Sequence, residues 1–223
     1  MKTYVAHYTK LKERKEYILD QLNKIGASDV EFMEDYDKEV LTQDLIDRYY
    51  EADQAKFEQV AKITKDKCGG GEYRILKDSE ISLMIKHVEI LKKLSNSDNK
   101  YAMILEDDCL FLNDYSEEMI EILINSCVPD WDVIVIGGAF DHSICTYRDR
   151  YCMFLLANHP ATNTTSSMIF KKETASKILE TFQKFHISWD WQLNHIFYVN
   201  DFKVYHTFPY ICKQNNFKTS IQN

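Results

Sequence analysis

Three consecutive acids, Glu106, Asp107 and Asp108, follow directly on the short apolar run at residues 101–105. A run of that length without proline reads as a buried strand. Such strands commonly end in turn residues. Three carboxylates held together at one strand end repel one another, and burying them unpaired is costly. A divalent cation removes that penalty, because Mg²⁺ and Mn²⁺ take oxygen ligands. In α/β proteins, ligands bind beyond the carboxyl ends of the strands. The triplet therefore points to a metal and a phosphate-bearing ligand just after Leu105. The competing reading is an acidic surface loop. The strand before the triplet and the second apolar stretch at 109–112 weigh against it.

The flanking elements must bring other groups to that edge. Residues 3–7 alternate as a first strand, and Thr9 can cap a helix over 10–24 whose inner face is Tyr17, Ile18, Leu22 and Ile25. Gly26 is its expected stop, and 30–33 reads as a second strand. Strand, helix and strand in this space make a βαβ unit and a parallel sheet. The loop at His7, Tyr8 and Thr9 then opens on the same edge as the acids, and Arg14, one turn into the helix, can reach a diphosphate there. The alternative for Arg14 is a solvated helix face.

Residues 34–77 are the least readable, with helices expected over 42–50 and 53–64. Gly69, Gly70 and Gly71 lack the Lys-Ser/Thr of a phosphate loop and read as a mobile connection or a lid. The strongest helix spans 78–94, with Ile81, Met84, Ile85, Val88 and Leu91 on one stripe and Leu83, His87, Ile90 and Leu94 on another. Two apolar faces mean burial, so His87 is either a hydrogen-bonded core histidine or a ligand-facing one. After the acids come a helix over 115–125 and a strand over 131–136. Gly137 and Gly138 end that strand and would let the backbone approach a ligand. A long loop carrying Asp141, His142, Arg148 and Asp149 follows as a candidate acceptor contact. Next are a strand at 166–170, a helix at 172–185, and Asp190 at the start of a helix over 191–198, as either an N-cap or a general base. A last strand over 203–208 carries His206, and an irregular tail over 210–223 carries Gln214, Lys218 and Ser220.

Composition bounds the classes. With 223 residues, 45% of them hydrophobic, the chain suits one globular domain with a full core. A net charge of −8 argues against nucleic-acid binding. No apolar run is long enough to span a bilayer. Lys10, Lys12 and Glu13 come too early for a signal-peptide core, so a cytoplasmic location is expected. None of the six cysteines forms a Cys-x-x-Cys pair, which speaks against zinc and for reduced thiols, with one disulfide possible in an oxidising compartment.

Residues 103–111, Met-Ile-Leu-Glu-Asp-Asp-Cys-Leu-Phe, resemble the Leu-Glu-Asp-Asp-x-x-Phe core of glycosyltransferase family 25, which holds lipopolysaccharide-type and procollagen galactosyltransferases. Residues 4–19 with Arg14 resemble the family's opening strand and arginine-bearing helix. Residues 79–87 resemble its Gly-Glu-x-x-x-x-x-Ser-His helix, and 165–179 the strand and helix before its Val-Asp pair, which Trp189-Asp190 replaces. Residues 209–221, with Gln214, resemble its Pro-x-x-x-x-Gln ending. The likeness skips 34–73, and it departs at His7 and Tyr8, where Asn and Leu are usual, and at Lys86, where Ser is usual.

The resemblance implies a single GT-A-type, Rossmann-like α/β domain over 1–223, with a mostly parallel central sheet flanked by helices. It implies an inverting transfer of a hexose, galactose or glucose, from a UDP-sugar to a hydroxyl of a glycan or glycoprotein acceptor, with Mn²⁺ or Mg²⁺. Asp108 would be the direct metal ligand, helped by Glu106. Asp107, Tyr8, Thr9, Arg14, His87 and Gly137 would surround the nucleotide sugar, and Asp190 would be the base. His206, Gln214 and Ser220 would be further contacts. Two other classes compete: a non-catalytic nucleotide-sugar or glycan-binding relative, and a Mg²⁺-dependent phosphotransfer domain. The latter would want an aspartate after the first strand, where His7, Tyr8 and Thr9 stand.

Overall fold

The structure is a computed structural model that describes residues 1–68, 72–127, 130–162, 164–215 and 217. Strand β1 (Lys2–Ala6), helix α1 (Lys12–Ile25) and strand β2 (Asp29–Met33) form the expected βαβ unit. Next come a short 3₁₀ turn (Lys38–Val40) and helices α2 (Gln43–Tyr49), α3 (Gln54–Cys68) and α4 (Asp78–Ser95). Strands β3 (Tyr101–Glu106) and β4 (Cys109–Phe111), helix α5 (Glu117–Cys127), and strands β5 (Val133–Val135) and β6 (Gly137–Gly138) follow. The chain continues through β7 (Tyr147–Tyr151), β8 (Phe154–Ala157), β9 (Ser167–Lys171), α6 (Lys172–Thr181) and α7 (Trp189–Val199), then β10 (Val204–Thr207) and β11 (Cys212–Gln214).

Among the described residues the main sheet has eight strands in the order β2-β1-β3-β9-β5-β10-β8-β7. The expected parallel pairing holds for β2, β1 and β3 and for β5 beside β10. Strand β9 runs antiparallel between β3 and β5, and β8 and β7 add an antiparallel edge, so the sheet is mixed rather than mostly parallel. Its inner strands are apolar on both faces because both are covered. Along β3, Ala102 and Ile104 face the side packed by α4, α6 and α7, while Met103 and Leu105 face α1 and α5. None of the described helices is long and apolar enough to cross a membrane.

Several local expectations shift. Helix α1 starts at Lys12 with Leu11 at its N-cap, and Thr9 instead donates from its backbone and its hydroxyl to Asp37 Oδ2. A carboxylate from across the loop has taken the threonine that would otherwise cap the helix. Gly26 does end α1, in the left-handed region at φ 75° that favours glycine. Helix α6 stops at Thr181, which frees Phe182 and Phe185 to pack on each other and Phe185 on Tyr49. The stretch expected to be a long loop after Gly138 contains the β7–β8 hairpin, and the tail expected to be irregular contains β11. The triple glycine lies outside the described residues.

Candidate active site

The site grows from the parallel register of β1 and β3, which sets Ala6 opposite Glu106. Both strands end at the same edge, so the next residues, His7 and Asp107, become neighbours. His7 Nδ1 lies 2.8 Å from Asp107 Oδ2. Arg14 Nη1 donates to Asp107 Oδ1 at 3.0 Å and lies 3.5 Å from Asp108 Oδ2. The tail strand completes the corner: β11 pairs with β4 so that Gln214 sits opposite Cys109. Its Nε2 then donates to Asp108 Oδ2 at 3.1 Å, and the Asn215 N–H donates to the Asp108 carbonyl at 2.8 Å.

His7, Arg14, the three acids and Gln214 line an open cleft of about 690 Å³, together with Tyr8, Leu11, Lys38 and Lys86 and three further residues of α4, Ser79, Ser82 and Leu83. Lys86 anchors the wall. It is 2% exposed, yet its ammonium donates to the His7 carbonyl (2.8 Å), the Asp35 carbonyl (2.7 Å) and Asp37 Oδ1 (2.7 Å). Burial pushes its pKa down, and Asp37 counters that. One buried cation on α4 thus ties the end of β1 to the residues that follow β2.

The three acids differ in environment. Asp107 is saturated by His7 and Arg14. Glu106 accepts from Thr165 Oγ1 at 2.9 Å. Asp108 is 5% exposed, and its Oδ1 is buried with no hydrogen-bond partner among the described residues. Burial, reinforced by the Glu106 charge, raises its carboxyl to about 7. Of the cations lining the cleft, Arg14 faces Asp107 and Asp108, Lys86 is engaged by Asp37, and Lys38 lies over the Tyr8 ring at 5.6 Å. No cluster of three or more His, Cys, Asp or Glu poised for a metal occurs among the described residues. Of the triplet's oxygens, Asp108 Oδ1 is buried without a partner among the described residues, while Glu106 Oε1 is held by Thr165.

Of the other expected contacts, Tyr8 lines the cleft and donates from its hydroxyl to Glu39, while Thr9 is held by Asp37. His87 is not on the cleft wall. It stacks on Trp189 with ring centroids 5.8 Å apart, and its Nε2 is 3.6 Å from Glu106 Oε1, too long for a hydrogen bond. Gly137 does not line the cleft either. It is a strand residue of the small sheet, where a Cβ would lie 2.1 Å from the Cys212 carbonyl oxygen. The glycine serves a close approach of two backbones.

His206 is fully buried, with Nε2 2.6 Å from the Ala161 carbonyl and Nδ1 2.8 Å from the Tyr210 hydroxyl and 3.2 Å from that of Tyr147. Both ring nitrogens are occupied, so it has no lone pair for a metal. Ser220 and Lys218 lie outside the described residues. Arg148 and Asp149 stand exposed on the edge strand β7. Helix α7 begins at Trp189 with Ser188 at the N-cap, which places Asp190 inside the first turn. Ser188 Oγ donates to Asp190 Oδ1 at 2.8 Å. Burial raises the Asp190 carboxyl above its usual range, the Ser188 bond opposes this, and the Glu106 charge adds to it. The residues missed from sequence are Thr165, Lys38 and Asp37. The signal available was Lys86, a lysine set in an apolar helix.

No family model matches the chain. No curated protein matches it either. Among solved structures it is similar to the galactosyltransferase LgtC in complex with donor and acceptor sugar analogs, at 11% identity over 100% of this chain and 91% of that one, with a TM-score of 0.45. It is similar to S. aureus TarS 1-349 in complex with UDP-GlcNAc, at 13% identity over 99% and 60%, TM-score 0.45. Mouse xyloside xylosyltransferase 1 in its apo form is another, at 11% identity over 90% and 69%, TM-score 0.39. Likenesses this distant bear on no residue of the site.

Proposed function

We propose that this chain is a metal-dependent, inverting glycosyltransferase that moves a hexose, galactose or glucose, from a UDP-sugar to a hydroxyl of a glycan or glycosylated protein. The motif at 103–111, which resembles that of family 25, supports this reading. The observation that carries the reading is Asp108 Oδ1, a buried carboxylate oxygen without a hydrogen-bond partner among the described residues, on a residue that lines the open cleft. Arg14 is engaged by Asp107 and Lys86 by Asp37, and a diphosphate would add negative charge beside three carboxylates. Mn²⁺ or Mg²⁺ at Asp108, with Glu106 beside it, resolves both problems at once. Such an ion supplies Lewis-acid stabilisation of the departing diphosphate.

The chain's own residues do the rest. Arg14 lies beside the acids, where it can reach the phosphates, with Asp107 and His7 holding its guanidinium in place. Tyr8 and Lys38 wall the outer end. Thr165 fixes the Glu106 carboxylate. Asp190, held by Ser188, takes the proton from the acceptor hydroxyl. The acceptor oxygen bonds to the anomeric carbon as the bond from that carbon to the diphosphate oxygen breaks. A carboxyl raised by burial is a stronger base than an exposed aspartate, which suits this role. A screen of donor turnover across UDP-, GDP- and CMP-sugars with Mn²⁺ tests the reading. Turnover of UDP-hexoses that stops on chelation is expected. Equal turnover after chelation, or none with any donor, overturns it.

A further inference from the structure

Next to Asp190 lies a second groove, of about 510 Å³, whose walls include Phe57, Arg74, Leu76, Ile187, Ser188 and Trp191. Its aromatic side comes from α3 and α7. Trp191 is half-buried against the cluster of Phe57, Val60 and Ile187, and Phe57 meets Tyr73 edge to face at 5.5 Å. Phe57 and Tyr73 belong to the stretch where the resemblance to family 25 stops, so this wall is the chain's own. The polar side carries an excess carboxylate: Arg74 donates to both oxygens of Glu80, at 2.6 and 2.5 Å, and Glu72 also lines the groove. Ser188 belongs to this wall and donates to Asp190 Oδ1, so one hydroxyl joins the groove to the candidate base.

We propose that this groove receives the acceptor as a neutral pyranose, laid with its C–H face on Trp191 and one hydroxyl turned past Ser188 toward Asp190. An aromatic platform beside a few polar groups suits a sugar, which is apolar on its faces and polar at its rim. An anionic sugar or a phosphate would meet Glu72 and a guanidinium already engaged by Glu80. The role of the bound sugar as acceptor rests on the glycosyl-transfer reading, while its binding does not.

The test uses the full chain with ¹⁵N-labelled tryptophan. Trp131, Trp189 and Trp191 give the three indole signals, and loss of one in Trp191→Phe assigns it. The probes are methyl β-D-galactopyranoside and methyl β-D-glucopyranoside, with N-acetylneuraminate and inorganic phosphate as anionic controls. A neutral glycoside should shift the Trp191 signal saturably and leave those of the buried Trp131 and Trp189 in place. Trp191→Ala should weaken binding about tenfold, read by calorimetric titration of the same glycoside, and Trp191→Phe should restore most of it. Unmoved Trp131 and Trp189 signals in both variants show that the fold is kept. If neither glycoside moves Trp191, or if an anionic probe moves it at lower concentration, the assignment is overturned. UDP with Mn²⁺ is titrated in parallel. Failure of UDP alone removes the donor reading and leaves the groove, and failure of the glycosides alone does the reverse.

Discussion

Two buried polar centres of this molecule invite comparison. At the edge shared by β1 and β3, Asp108 Oδ1 and His7 Nε2 are buried without hydrogen-bond partners among the described residues. Across the sheet, beneath β8 and β10, His206 is equally buried, but each ring nitrogen has a partner: the Ala161 carbonyl accepts from Nε2, and the Tyr210 and Tyr147 hydroxyls face Nδ1. Folded proteins rarely leave buried polar atoms unpaired, because each costs about 1–3 kcal/mol. On the proposed reading, the first centre would be completed by a bound ion, whereas the second is completed by its own hydrogen bonds.

That contrast can be broken or sharpened by substitution, and the largest effect belongs to the unfinished centre. Asp108→Ala should abolish metal-dependent transfer, read as donor turnover with Mn²⁺ present. Full activity in the presence of Mn²⁺ would show that the oxygen has no ligand role. Next, Asp190→Asn should lower kcat on the order of 10²–10⁴ with UDP binding unchanged. Normal turnover by that variant would take Asp190 out of the mechanism.

A smaller effect is expected at the finished centre. Burial lowers the His206 pKa from 6.5 to about 4. Its folded value lies below its unfolded one, so the stability of the neutral ring is whole above pH 6.5 and fades as pH falls toward 4. The loss should reach about 3 kcal/mol at the acid end. Denaturant midpoints at neutral and acid pH, compared with those of His206→Gln, measure it. An identical pH dependence in the variant would mean that His206 titrates as an ordinary exposed histidine. Smallest of all, Gln214→Ala removes a bond that orients Asp108 and should weaken Mn²⁺ binding about tenfold. No change in affinity would place Gln214 outside the site.

Much of the first centre was legible in the sequence, because local patterns determine it. An apolar strand running into Glu106, Asp107 and Asp108, and a βαβ unit delivering Arg14 to the same edge, are read from residues close together along the chain. What sequence could not show are the contacts that depend on distant pairing. The residues from 210 onward carry no strand signal, yet β11 pairs with β4 and brings Gln214 to Asp108 across 106 residues. The same holds for His206, a ligand candidate by residue type, whose two hydroxyl neighbours become visible only once β7, β8 and β10 are assembled. Gly137 shows the third kind of miss. A strand-end glycine signals a close approach but not to what, and here the neighbour is the backbone of Cys212 rather than a ligand. Lys86 is the reverse case. It looked like a departure from a family pattern, and it proves to be the cation that holds three segments of the cleft wall together.

The central claim is that Asp108 holds a cation for a nucleoside diphosphate, and calorimetric titration of UDP tests it most directly. Saturable binding is predicted in Mn²⁺, lost when the ion is chelated and lost again in Asp108→Asn with Mn²⁺ present. Equal affinity for UDP in all three conditions would contradict the account.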